Sequence, residues 1–477
     1  IRNHHQSTIV DMFIKRKWIL GILGFLLAFN LVFPLFLHHF LEESSSNTAL
    51  WNGYHHSRGK LASTSNKSNN NHVHIVFSTD CSGYQHWQSI ALWYSAQSVG
   101  HQGNVTRIAS GCSQEERKRI EDEWKKISPD QFRVHFTPSF SYKSQSSSSQ
   151  KTNYKYSNKP GGLLHFLQHN NDILHSDDVL CLLDPDMLLL KPITSTIIKK
   201  SWTKHTVGKK KNQAEYRDEN GTPQALRVEW LEKHQRTPPD IVTHGHPAGQ
   251  HFGVGGAWAR AMTKKDGAWQ NFSASKVCGS PSSPCTKTLF DDADSHYAVG
   301  PVYLATVRDW HRIAKTWWDF FPRVYEQYPH LLAEMYAFCM AIANLQLPFT
   351  VLSNYMISSP TTQSPTEGWT WVLEQQNQQQ DYICGRNEFS SKQPIYTPTV
   401  LHYCQNYNFA NDRFAKRKIS HTFFQCSNPT PLPLNRSKIL HSLREEGGDV
   451  NQKTAFALCH SILMLNEAQR KYRKDVC

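Results

Sequence analysis

Val179-Leu180-Cys181-Leu182-Leu183-Asp184-Pro185-Asp186-Met187 is an apolar run that stops abruptly at two carboxylates one residue apart. Five consecutive apolar residues predict a strand buried on both faces, as in sheets covered by helices on either side. Such a strand points its carboxyl end into the crevice where α/β sheets collect their ligands. Two carboxylates at that point offer hard oxygen ligands to a divalent cation, Mn²⁺ or Mg²⁺, and a cation held there can neutralise a diphosphate. Pro185 stiffens the turn between the two acids. The same spacing recurs by chance about once in a chain this long, and Asp292-Ala293-Asp294 is a second copy. Only the first copy follows five apolar residues and precedes another apolar run, Met187 to Leu190, so the cation is assigned to Asp184 and Asp186.

Upstream of this strand, helix and strand patterns alternate. Val73 to Phe77 predicts a short buried strand, and Trp87, Ile90, Ala91 and Tyr94 fall at helical spacing. Val105 to Ala109 predicts a second strand and Phe132 to Phe136 a third. Between them Ser113 and Glu116 form a capping box that opens a charged helix reaching about Lys126. Pro160 sits where a first-turn proline belongs, ahead of Leu163, Leu164, Phe166 and Leu167. Downstream, core-like sequence resumes at Phe252 to Trp258, Val299 to Val307 reads as a strand, and Asp309 to about Tyr328 as a helix. A further helix near Leu331 to Ala343 would place Leu332, Met335, Cys339 and Ala343 on one face. Together these segments predict an α/β fold with a mainly parallel central sheet flanked by helices. Two polar stretches, 139–153 (rich in serine) and 199–246 (rich in lysine), read as insertions.

The amino-terminal segment predicts topology. Trp18 to Leu37 is uncharged and about 20 residues long, enough for a helix to cross a bilayer. Lys15, Arg16 and Lys17 precede it and Glu42 and Glu43 follow, which keeps residues 1–17 cytoplasmic and the bulk of the chain lumenal. The expected organisation is a cytoplasmic tail 1–17, a single transmembrane helix 18–37, a disordered stem 38–71 with little apolar content from Glu43 onward, a folded domain 72–434 and a carboxyl-terminal extension 435–477. Five N-x-[ST] triplets, at Asn66, Asn104, Asn220, Asn271 and Asn435, agree with a lumenal placement. Eleven cysteines fit an oxidising compartment: Cys278 and Cys285 could close a short loop, Cys384, Cys404, Cys426, Cys459 and Cys477 crowd the last third, and Cys181 and Cys339 lie in apolar surroundings that suit buried thiols. The net charge of +13 would attract nucleotides or membrane, while lumenal orientation argues against nucleic acid as a partner.

Three further residues carry chemistry. His402 ends the apolar tripeptide before Tyr403 and could serve as a second cation or diphosphate ligand, since imidazole coordinates Mn²⁺ acceptably. Glu334 is a carboxylate amid the apolar residues of a predicted helix, and buried carboxylates are paired or functional. Lys159, beside Pro160 and the Gly161-Gly162 pair, could bring a cation and a close backbone toward phosphates, although the same residues make an ordinary helix entry.

The blocks HIVFSTDCSGYQHWQS (74–89), NVTRIASG (104–111), SNKPGGLLHFL (157–167), LLDPDMLLLKPI (182–193), VGPVYLATVRDW (299–310), AEMYAFCMA (333–341), VLHYCQNYNF (400–409) and FAKRKISHTFFQCSNPTPLPL (414–434) occur in this order. In them the chain resembles the plant and algal peptidyl O-glycosyltransferases, which comprise hydroxyproline O-arabinosyltransferases and peptidyl serine α-galactosyltransferases. The resemblance implies a GT-A type nucleotide-sugar-binding fold, a single-pass type II protein of the Golgi or ER membrane, and metal-dependent transfer with retention. It implies a UDP-sugar donor, with arabinose or galactose moved to a hydroxyproline or serine of secreted polypeptide. On matching positions Asp184 and Asp186 bind the metal, and Lys159, Glu334 and His402 fall in blocks used for donor and acceptor contacts. LLDPDM looks closer to the serine galactosyltransferase pattern, and Cys404 to Asn408 replaces the glycine-rich segment of the arabinosyltransferases. A lumenal lectin or trafficking factor that kept the fold without turnover is the alternative from another class.

Overall fold

The computed structural model describes residues 72–128, 130–143, 153–170, 173–197, 241–253, 256–263, 267–362, 367–378, 382–384 and 397–477. The predicted membrane span 18–37, the stem and most of the 199–246 insertion lie outside these residues. No described helix is long and apolar enough to cross a membrane.

Among the described residues a seven-stranded sheet forms the centre, in the order β10-β8-β9-β6-β1-β2-β3. Its strands are β1 (Val73–Thr79), β2 (Val105–Ser110), β3 (Phe132–Thr137), β6 (Val179–Leu183), β8 (Ala248–His251), β9 (Val299–Thr306) and β10 (Thr350–Leu352). Small ribbons are built from β4 (Tyr142–Lys143) with β5 (Asn153–Tyr154), from β11 (Met356–Ile357), β12 (Val400–His402) and β7 (Met187–Leu189), and from β13 (Asn406–Phe409) with β14 (Asp412–Ala415). The central sheet is mixed. β1, β2, β3 and β6 run parallel, as do β8 and β10, but β9 is antiparallel to both its neighbours. The parallel expectation therefore holds on either side of β9 and fails at it, because nothing in an apolar run states the direction of its partner.

Alternation along β1 and β6 explains why both read as unbroken apolar runs. Ile75, Phe77, Cys181 and Leu183 enter one core, while Val76, Leu180 and Leu182 enter the other. The first face is covered by α1 (Gly83–Ser98) and, near the edge, α2 (Gln114–Ile127); the second carries α3 (Asn158–His169), α4 (Val307–Gln327) and α5 (Ala333–Asn344). The Ser113–Glu116 capping box forms as its spacing predicts, with Ser113 Oγ accepting from Glu116 N and Glu116 accepting from Ser113 N. α5 differs from its predicted amphipathic form: every residue from Ala333 to Ala343 is buried, so no single face is exposed. The strand preceding the Phe252 segment is β8, a few residues earlier than the core-like run suggested.

The carboxyl-terminal residues do not hang free. Helices α6 (Trp369–Gln378), α7 (Arg436–Glu445) and α8 (Asp449–Val476) follow, and α8 packs on α1 with Phe456, Leu458, Ile462 and Leu465 in the first core. The segment 435–477, expected as an extension beyond the folded domain because the matching blocks end near 434, packs its apolar stripe into the sheet-covering layer. Four disulfides join Cys81 to Cys112, Cys278 to Cys285, Cys384 to Cys459 and Cys426 to Cys477. Cys181 and Cys339 are buried thiols, and Cys404 is free and half-buried.

Candidate functional site

Strand order reverses between β1 and β6: β2 and β3 lie to one side of β1, and β6 and β9 to the other. The carboxyl ends of β1 and β6 thus flank the switch point at which open α/β sheets form a crevice. Asp184 follows the last residue of β6, and the turn through Pro185 carries Asp186 into β7. β7 pairs antiparallel with β12, setting His402 opposite Met187. Tyr403 N donates to Asp186 O at 3.2 Å, which ties the two strands beside the acid. His402 Nε2 then lies 3.2 Å from Asp186 Oδ1. The second oxygen, Oδ2, accepts from the Lys416 ammonium, carried on the turn after β14.

Lys159 stands in the first turn of α3 and reaches across the carboxyl end of the sheet. Its Nζ is 2.7 Å from Asp184 Oδ1 and 2.8 Å from Glu334 Oε1. α3 approaches the sheet closely because Gly162 faces Ile108; a Cβ on Gly162 would come within 2.9 Å of Ile108 Cγ2. The Gly161-Gly162 pair therefore serves helix-to-neighbour packing, with Gly161 against Phe140. Glu334 opens α5, and Trp317 Nε1 donates to its carbonyl at 2.7 Å. Its amide donates at 3.3 Å to the Tyr154 hydroxyl, which donates in turn to Leu331 O.

Three buried polar atoms here find no partner among the described residues: Glu334 Oε2 and the hydroxyls of Tyr303 and Tyr403. Tyr303 pairs with Leu182 across β6 and β9, two residues before Asp184. Its predecessor Val302 has a φ of 82°, a backbone conformation strained for a β-branched residue. Orphaned polar atoms and local strain concentrate where a protein meets a ligand.

Charge compensates charge throughout. Burial opposes the ammonium of Lys159, yet Asp184 and Glu334 outweigh it and hold its pKa above the usual value. Burial also opposes ionisation of Asp186, but His402 and Lys416 keep it well below the ordinary carboxylate range. Glu334 is pushed up, first by burial and then by Asp184, against the pull of Lys159. Burial raises the Tyr303 phenol, and the Glu334 charge adds to it.

All five residues expected from the sequence, Lys159, Asp184, Asp186, Glu334 and His402, meet at this end of the sheet. Asp184, Asp186 and His402 offer ligand atoms within 4.8 Å of one another, the one group of its kind found among the described residues. Two carboxylates and an imidazole suit Mn²⁺ or Mg²⁺. Asp292 and Asp294 sit instead on the short helix Phe290–His296, where His251 Nε2 is 4.0 Å from Asp294. Three participants escaped the sequence: Lys416, which reads as one member of the exposed Lys416-Arg417-Lys418 run; Tyr303, one aromatic among many; and Tyr154, at the margin of the serine-rich stretch.

No protein-family model matches the chain. Part of it is similar to the peptidyl serine alpha-galactosyltransferase of Arabidopsis thaliana, with 31% identity over 122 residues, 25% of this chain and 14% of that protein. The peptidyl serine alpha-galactosyltransferase of Chlamydomonas reinhardtii is 30% identical over 134 residues, 26% of this chain and 15% of that protein. The matched stretch thus spans about a seventh of the length of either relative. Among solved structures, the galactosyltransferase LgtC with donor and acceptor sugar analogs gives a TM-score of 0.32 at 14% identity, over 70% of this chain and 87% of that one. The bifunctional glycosyltransferase WbbM gives a TM-score of 0.32 at 10% identity, over 72% of this chain and 48% of that one.

Proposed function

We propose that this chain, similar in part to peptidyl serine alpha-galactosyltransferases, is a metal-dependent glycosyltransferase of the GT-A type. It moves galactose from UDP-galactose to a serine hydroxyl of a polypeptide. The single observation that carries this reading is the Asp184, Asp186 and His402 cluster at the switch point of the sheet, adjoining the buried Lys159–Glu334 pair. Asp184, Asp186 and His402 would hold Mn²⁺ or Mg²⁺, which when bound neutralises charge on a diphosphate leaving group.

The chain's own residues supply the rest. In the transfer, the bond from the anomeric carbon to the β-phosphate oxygen breaks, and its electron pair stays on the phosphate. The acceptor oxygen bonds to the same carbon, and its proton passes to the departing phosphate oxygen. Attack on the face the phosphate leaves gives retention without a protein nucleophile. Lys159 fixes the carboxylates of Asp184 and Glu334 relative to one another, so that neither must reorganise as charge moves. Glu334 Oε2, buried and unpartnered, is available to orient a sugar or acceptor hydroxyl. The relatives' names and the LLDPDM block favour galactose and serine; arabinose on hydroxyproline is the second reading, carried only by the blocks common to both branches.

We place the protein in the Golgi or ER membrane as a single-pass type II protein with a lumenal catalytic domain, which the four disulfides support. The test is a donor screen with serine and hydroxyproline peptides in the presence and absence of Mn²⁺, with linkage analysis of the product. Mn²⁺-dependent α-galactosyl serine is expected. Sugar binding without turnover of any UDP-sugar would favour the lectin alternative and overturn this reading.

A further inference from the structure

Asp186 has no oxygen to spare in this structure. Oδ2 is bonded to Lys416 and Oδ1 faces His402, while Lys159 takes Asp184. Three carboxylates, of Asp184, Asp186 and Glu334, therefore meet two ammonium groups and an imidazole. Most carboxylate sites attract a divalent ion through a net negative charge; here two ammonium groups of the chain already offset much of that charge.

The two lysines are not equivalent. Lys159 is buried, bridges two carboxylates, and stands on a helix in the second core. Among the described residues Lys416 has Asp186 as its one ion-pair partner, its side chain is 21% exposed, and it sits on a three-residue turn after a hairpin. The hairpin itself is anchored: Tyr407 Oη donates to Ser358 O and His402 O, and Tyr407 stacks on Phe414. The backbone is thus fixed while the ammonium ends a long chain able to swing.

Resting on the function proposed above, we propose that Lys416 is a displaceable counter-cation. It occupies Asp186 Oδ2 when no ion is bound, and it must leave for a divalent cation to bind. A bare ion then meets an unpaired ammonium at close range and binds weakly. An ion that arrives with a diphosphate brings the anion that compensates the displaced ammonium. The site accordingly selects the metal–diphosphate complex over the free metal.

Mn²⁺ binding to the intact chain, followed by the electron paramagnetic resonance signal of free Mn²⁺ at constant pH and ionic strength, tests this with and without uridine diphosphate. Lys416→Met is expected to bind Mn²⁺ alone at least about 10-fold more tightly than wild type. The enhancement by uridine diphosphate should shrink by a similar factor. Lys416→Gln, a second neutral replacement, should behave alike, and the exposed Lys418→Met should match wild type. Unchanged or weaker Mn²⁺ affinity in both Lys416 variants, or an equal gain in Lys418→Met, would overturn the counter-cation role while leaving the metal site standing. Failure of every protein to take up Mn²⁺, with or without the nucleotide, would overturn the metal reading and this inference with it.

Discussion

Replacing Lys159 by methionine removes the cation shared by Asp184 and Glu334 and keeps most of the aliphatic volume. In the folded protein its ammonium lies 2.7 Å from Asp184 and 2.8 Å from Glu334, whose side chain is 4% exposed. Asp184 retains access to water; Glu334 does not. Breaking a buried pair by removing one partner costs about 3–5 kcal/mol, because the remaining charge is left uncompensated. Glu334 can escape that cost only by taking up a proton. Its pKa, already raised by burial, then rises further in the variant. A carboxyl whose folded pKa exceeds its unfolded value loses stability as pH rises, so the deficit of Lys159→Met should be larger at pH 7.5 than at pH 5, each against wild type. Combining it with Glu334→Gln removes the stranded charge, and the double variant should recover at least about 2 kcal/mol relative to the sum of the singles. Chemical denaturation of the four proteins of this cycle at both pH values gives the numbers. A Lys159→Met cost below about 1 kcal/mol, or strict additivity, would refute the claim that this ion pair is buried and interdependent.

Asp186→Asn removes one charge from the cation site, and at an effective dielectric near 20 that amounts to about 4 kcal/mol, or roughly a 10³-fold loss of metal-dependent turnover. Circular dichroism should show the fold retained, and near-wild-type activity would exclude the metal role. Acid should destabilise the protein: burial lowers His74 and His460 to about 4, so each is neutral when folded. Unfolded histidine binds a proton below about 6.5, and stability contributed above that pH is lost as pH falls toward 4, by up to about 3 kcal/mol for each group. Melting temperatures measured from pH 7 to pH 4 should fall accordingly, and a flat profile would contradict the burial. Cys384→Ala/Cys459→Ala opens a disulfide spanning 75 residues and should cost about 4 kcal/mol by denaturant titration, with an unchanged midpoint counting against the pairing.

Much of the fold could be read from local patterns. The apolar runs at Val73–Thr79 and Val179–Leu183 are strands because each alternate side chain meets a core, on one face or the other. The capping box at Ser113 and Glu116 closes over three residues, so its geometry is local and its spacing suffices to find it. Asp184 and Asp186 were legible for the same reason: a strand that must be buried determines where its first polar residues emerge.

Long-range partnership is another matter. Lys159 finds Glu334 across 175 residues, and Lys416 finds Asp186 across 230. The antiparallel entry of β9, the Cys81–Cys112 bridge and the packing of α8 on α1 are of the same kind. Periodicity states which face of an element is buried, but not which other element buries it. The residue types able to compensate the two aspartates recur throughout the chain, and only the packed sheet, by bringing β6, β12, α3 and the hairpin turn to one crevice, selects which of them do so.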